Sequence, residues 1–173
     1  MLYRRANSPG PVNPFFSTAC TWLLVGAEFL GTFWLVLAGC GTAVLAMAAA
    51  RLWPVTVLAS DIDAVAVDTA AANVIANGLD GRVICLEAAG FDHPMLEDNA
   101  PYDLVLANIL KQPLIDLAPE MAQVVAPGGR VVLSGILTTQ AQEVTQVYGD
   151  AGFTLERRDD LAEWSALVME RRV

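Results

Sequence analysis

Residues 102–137, YDLVLANILKQPLIDLAPEMAQVVAPGGRVVLSGIL, decide the fold. Tyr102–Ala107 is a short apolar run rich in β-forming residues, which reads as a buried strand. A helix is expected near Pro113–Val125, stopping at Pro127-Gly128-Gly129, and Arg130–Ile136 supplies the next strand. A strand, a helix of roughly a dozen residues and a second strand form a right-handed crossover unit, whose two strands lie parallel in one sheet.

The same alternation continues outward in both directions. Upstream lie a strand at Val55–Ser60, a helix at Ala64–Asn77 ended by Gly78, and a strand at Arg82–Glu87. Downstream come a helix at Thr139–Asp150 and two closing strands, Gly152–Arg158 and Ser165–Glu170, paired antiparallel. The expected class is α/β: a doubly wound, mostly parallel sheet with an antiparallel pair at its C-terminal end. Before Pro54 two readings compete. Phe33–Leu37 (FWLVL) can be a buried first strand, followed by a glycine turn and a helix at Ala43–Leu52. Yet Leu30–Ala50 is a run of 21 residues without charge, also long enough to span a bilayer. Residues 1–20, with three prolines and no period, read as an irregular lead-in. The expected division is an N-terminal arm or helix over 1–30 and a domain over 31–173.

Composition excludes several function classes. The 173 residues are 55% hydrophobic and 17% charged, with mean hydropathy +0.47, too apolar for a disordered tail. Residues 1–60 carry three Arg against one Glu, whereas the remaining seven cationic residues face eighteen carboxylates. A surface that acidic repels phosphate backbones, which argues against nucleic acid as a partner but not against a basic protein. Cys20, Cys40 and Cys85 form no CxxC pair and His93 is the single histidine, so neither a disulfide framework nor a zinc site is expected. A reducing, cytoplasmic setting follows more easily.

In a doubly wound sheet ligands sit beyond the carboxyl ends of the strands, and three such ends carry something specific. Ala38–Ala43 (AGCGTA) places glycines where backbone can approach a ligand closely, or where helices pack on small residues in a membrane. Asp61 and Asp63 follow VTVLAS, about 20 residues beyond the glycine turn; Asp61 suits a ribose and Asp63 the cap of the helix at Ala64. Asn108 follows YDLVLA, where its carbonyl oxygen suits an amine and its shape also suits a turn.

The segment ANILKQPLIDLAPEMAQVVAPGGRVVLSGIL, with VLASDIDAVAV before it and EWSALVMERR after it, resembles the catalytic domain of the bacterial methyltransferases that modify ribosomal protein L11. The resemblance runs from about Gly39 to Arg172. It implies a class I, Rossmann-like, S-adenosylmethionine-dependent fold that methylates protein amines, either lysine ε-amines or N-terminal α-amines, with a ribosomal protein as the substrate. By that resemblance Gly39, Cys40 and Gly41 fall on the cofactor loop and Asp61 on the ribose-binding acid, with Ile62 beside it. Asn108 is then the active-site asparagine, also in reach of the cofactor, and Ile109 lines the channel to the amine. Leu37 departs from the pattern, because the family places an acidic residue there. Residues 24–46 also resemble the first transmembrane helix of aquaporin Z. An inactive, truncated or chimeric enzyme anchored in a membrane through residues 22–50 is therefore the alternative. A nucleotide-cofactor oxidoreductase fits less well, since Val44 stands where a third Rossmann glycine belongs.

Overall fold

Among the described residues, ladder pairing joins seven strands into one sheet in the order β3-β2-β1-β4-β5-β7-β6. The computed structural model describes residues 2–3 and 43–172. The strands are β1 (Leu2–Tyr3), β2 (Val57–Asp61), β3 (Val83–Glu87), β4 (Tyr102–Asn108), β5 (Val125–Leu137), β6 (Phe153–Leu161) and β7 (Trp164–Arg171). Between them lie α1 (Val44–Leu52), α2 (Ala64–Ala76), α3 (Pro94–Asp98), α4 (Lys111–Val124) and α5 (Ala141–Asp150). β2 pairs parallel with β3, and β4 with β5. β7 runs antiparallel between β5 and β6, which leaves five strands pointing one way and β1 and β7 the other. The doubly wound α/β sheet with its antiparallel C-terminal pair is as expected.

Successive strand residues face opposite sides, so each apolar strand supplies two cores. On one face Leu58, Val105, Val131, Leu133 and Leu167 pack against Leu114, Ala118 and Met121 of α4 and Val144 and Tyr148 of α5. On the other, Val57 and Val83 meet Ala46, Met47, Ala49 and Ala50 of α1 and Val74 of α2, while Leu104, Leu106, Val132 and Val168 are closed over by Leu45 and Trp53. Two deeply buried hydroxyls find backbone partners. Tyr148 donates to the Leu114 carbonyl at 3.1 Å, and Tyr102 to that of Leu96 at 2.6 Å.

Local chemistry sets the element ends. Asp63 caps α2, its side chain accepting the Val65 N–H at 2.9 Å, and Gly78 leaves the helix with φ +67°, the left-handed turn that glycine adopts without strain. α4 begins at Lys111, two residues before the expected Pro113, because proline in a first turn forfeits no helical hydrogen bond. His93 caps the short α3 by accepting the Met95 N–H.

Two expectations are corrected. Pro127-Gly128-Gly129 does not separate α4 from the next strand, since β5 starts at Val125 and the triplet lies inside it. The register jumps from Tyr102↔Val125 to Leu104↔Arg130, so this segment bulges out while the ladder resumes beyond it. The other concerns residues 1–20. Leu2–Tyr3, read as part of an irregular lead-in, form the strand between β2 and β4, antiparallel to both, with Leu2 opposite Leu58 and Val105. β2 and β4 would otherwise face each other across unpaired backbone groups, a gap that even two extended residues partly close. The expected strand Phe33–Leu37, the loop residues Gly39, Cys40 and Gly41, and most of the aquaporin-like segment lie outside the described residues. Among the described residues no helix is long and apolar enough to cross a membrane.

Candidate active site at the carboxyl ends of the strands

β2 and β4 end side by side, separated only by the β1 position, and each presents one polar side chain there. With strands about 4.8 Å apart, Asp61 and Asn108 stand on strands about 10 Å apart. Asp61 accepts the Asp63 N–H through Oδ1 at 3.0 Å, and its Oδ2 has no hydrogen bond among the described residues. The two carboxylates thus divide their work: Asp63 caps α2, and Asp61 keeps an acceptor oxygen at the strand end.

Asn108 is exposed and caps nothing. The residue at the cap of α4 is Leu110, and it offers no side-chain hydrogen bond. What holds Asn108 is the neighbouring strand. Gly135 in β5 has φ +82°, and a Cβ built on it would fall 2.7 Å from the Ile109 carbonyl oxygen and 2.8 Å from Asn108 Oδ1. The Asn108-Ile109 corner therefore rests directly on glycine backbone. Ser134, the register partner of Asn108, is 1% exposed and its hydroxyl has no hydrogen-bond partner among the described residues.

The rim is apolar. Ile62 follows Asp61 at 74% exposure, Ile109 follows Asn108 at 36%, and Leu110 is 73% exposed. Large apolar side chains left in water around a few polar groups are what a ligand site presents. Ala43, at φ 52°, precedes α1 and gives it no side-chain cap. A carboxylate with a spare oxygen, an exposed carboxamide on a glycine seat and an apolar rim suit a ligand with hydroxyls, an amine and flat apolar surface.

Comparison with known proteins decides the lineage. The family model described as ribosomal protein L11 methyltransferase (PrmA) matches residues 34–172. The chain belongs to the ribosomal protein L11 methyltransferase family. A ribosomal protein L11 methyltransferase of Brucella suis is 44% identical over 132 residues, covering 76% of this chain and 46% of that protein. One from Chelativorans is 47% identical over 137 residues, covering 77% and 46%. The chain thus spans about half the length of the curated L11 methyltransferases it matches. Among solved structures, the ribosomal protein L11 methylase of Lactobacillus delbrueckii subsp. bulgaricus superposes with a TM-score of 0.69 at 27% identity, covering 77% of this chain and 67% of that one. A Pyrococcus furiosus methyltransferase reaches 0.62 at 14% identity over 92% and 96%, a likeness of fold. The class I methyltransferase fold expected from the sequence is the fold observed.

Of the residues expected at an L11 methyltransferase site, Asp61, Ile62, Asn108 and Ile109 share the carboxyl edge of the sheet. Sequence reasoning missed Ser134 and Gly135. The available signal was a glycine inside an otherwise apolar strand, which marks a bulge or a close backbone approach.

Proposed function

We propose that this chain is the S-adenosylmethionine-binding, catalytic part of a protein N-methyltransferase, transferring methyl groups to lysine ε-amines or N-terminal α-amines of a ribosomal protein. Family membership supports the reaction class, and the placement of Asn108 carries the assignment of the site: an uncharged carboxamide, exposed, backed by Gly135 and two strands from Asp61.

Asp61, through its spare Oδ2, holds the ribose hydroxyls, and Ile62 covers the adjoining apolar surface. Gly39, Cys40 and Gly41 are assigned to the loop along the rest of the cofactor. When bound, S-adenosylmethionine supplies the methyl group on a positively charged sulfur. Asn108 accepts a hydrogen bond from the incoming amine and orients its lone pair without stabilising an ammonium ion, as a carboxylate would. That distinction matters because a lysine amine has a reference pKa near 10.4 and reacts only when neutral. Ile109 and Leu110 keep water from the amine. The acidic balance of the chain suits a basic ribosomal protein as partner and a cytoplasmic setting, and disfavours nucleic acid.

The membrane-anchored, inactive reading of residues 22–50 is less favoured: its last residues belong to α1, a nine-residue helix packed on the sheet through Ala46, Met47, Ala49 and Ala50. Calorimetric titration of the chain with S-adenosylmethionine tests the assignment. One saturable site is expected, weakened at least tenfold by Asp61→Ala, roughly the 1.4 kcal/mol that one charge-assisted hydrogen bond supplies. Binding that is absent, or indifferent to Asp61→Ala, overturns it.

A further inference from the structure

Gly135 sits where β5 breaks step with β7. The register passes from Leu133↔Leu167 to Ile136↔Ser165, three residues against two, so Ser134-Gly135 forms a bulge at the end of the strand. Its φ of +82° is a left-handed conformation that side chains rarely adopt. Three atoms crowd the position a Cβ would take: the Ile109 oxygen at 2.7 Å, Asn108 Oδ1 at 2.8 Å and the Ile109 nitrogen at 3.1 Å. Two of the three are backbone and have no rotamer by which to escape. An ordinary contact begins near 3.4 Å, so any Cβ here pushes the Asn108-Ile109 corner away from β5. Two other left-handed glycines differ in this respect. Gly81, at φ +74°, and Gly152, at φ +98°, are equally left-handed yet meet nothing within 4 Å.

We propose that Gly135 is a positioning residue for methyl transfer: the missing side chain fixes where Asn108 presents its amide to the acceptor amine. The inference rests on the functional reading above, in which Asn108 is the residue that meets the amine. The bulge supplies the left-handed backbone, and the bare Cα lets the neighbouring strand end settle against it. Nothing about Gly135 requires it to touch substrate.

Four variants separate this role from general backbone strain. Gly135→Ala adds both the strain and the collision, while Gly135→Asn adds the same collision with less strain, because asparagine tolerates the left-handed region. Gly81→Ala adds strain alone, at the opposite end of the sheet. Asn108→Ala removes the group being positioned. The first measurement needs no cofactor: the side-chain amide resonance of Asn108, assigned by its loss in Asn108→Ala, should shift in both Gly135 variants and stay in place in Gly81→Ala. The second is methyl transfer from S-adenosylmethionine to purified ribosomal protein L11. Here kcat should fall roughly a hundredfold in Gly135→Ala, the penalty of a misplaced reacting group, with the double variant Gly135→Ala/Asn108→Ala no slower than Asn108→Ala alone. An unmoved Asn108 resonance, single effects that multiply in the double variant, or a Gly135→Asn chain that no longer folds would each overturn the proposal. A wild-type chain that transfers no methyl group defeats the functional reading instead, and the resonance still reports on Gly135.

Discussion

At the scale of single residues, the site is decided by two features that a list of polar groups does not capture: a spare oxygen and an absent side chain. Asp61 has one carboxylate oxygen engaged by the Asp63 N–H and one without a hydrogen bond among the described residues. Gly135 has no Cβ where one would strike Asn108. Ser134 adds a third feature, a buried hydroxyl without a partner among the described residues. Burying such a group unpaired costs about 1–3 kcal/mol. Ser134→Ala is therefore expected to leave the chain as stable or to raise its unfolding free energy by about 1 kcal/mol in urea titrations. A loss of more than about 1 kcal/mol would mean that the hydroxyl is satisfied in solution.

At the scale of elements, bulges re-aim side chains in two places. The Gly135 bulge brings Asn108 against β5. A second extra residue, Glu156, lies where the β6–β7 register passes from Leu155↔Met169 to Arg157↔Val168. Glu156 reaches across β7 to Arg130 of β5, accepting from Nε at 2.7 Å and Nη2 at 2.9 Å, with Glu170 of β7 at 4.0 Å from the same guanidinium. The hydrogen bond from Arg130 holds the Glu156 carboxyl below its ordinary 4.5. A carboxyl whose pKa is lower in the folded chain adds stability above the unfolded value and loses it as pH falls through the folded one. Glu156→Gln should thus cost about 0.5–1 kcal/mol at pH 7, modest because the pair is partly solvated. The difference from wild type should fade as pH drops below 4.5. A difference that is constant with pH would show that packing, not charge, accounts for it.

How much of this was legible follows the same division. β2, β3, β4 and α2 lie within one or two residues of their expected ends, because apolar alternation and an Asp cap act over a few neighbouring positions. The Asp63 cap was legible for the same reason. Pro127-Gly128-Gly129 reads as a stop signal locally, and only pairing with Tyr102 and Leu104 shows that the ladder resumes. The sign of φ at Gly135 and the nearness of Ile109 depend on β4 meeting β5; the glycine in the strand marks a close approach but does not name its partner. Leu2–Tyr3 are too few residues to carry a period.

At the scale of the whole molecule, the described strands end along one edge, from Glu87 on β3 to Leu137 on β5. The centre of that edge depends on β1. Tyr3→Pro removes a ladder donor from a strand flanked on both sides, where proline is not tolerated. A loss of about 1–3 kcal/mol is expected, together with faster hydrogen exchange of the Leu58 and Val105 amides; unchanged exchange would place β1 elsewhere in solution.

The pairing of Leu2 with Val105 also has a consequence in time. Ribosomes deliver the chain in order, at about 5–20 residues per second, so Leu2 and Tyr3 wait through some hundred residues of synthesis before β4 exists to receive them. Contacts that distant in sequence form slowly, because the intervening loop must be closed first. The middle of this sheet is therefore its last seam to be sewn, and a nascent chain halted before residue 102 is expected to bind chaperones through the edge of β1 that β4 would cover.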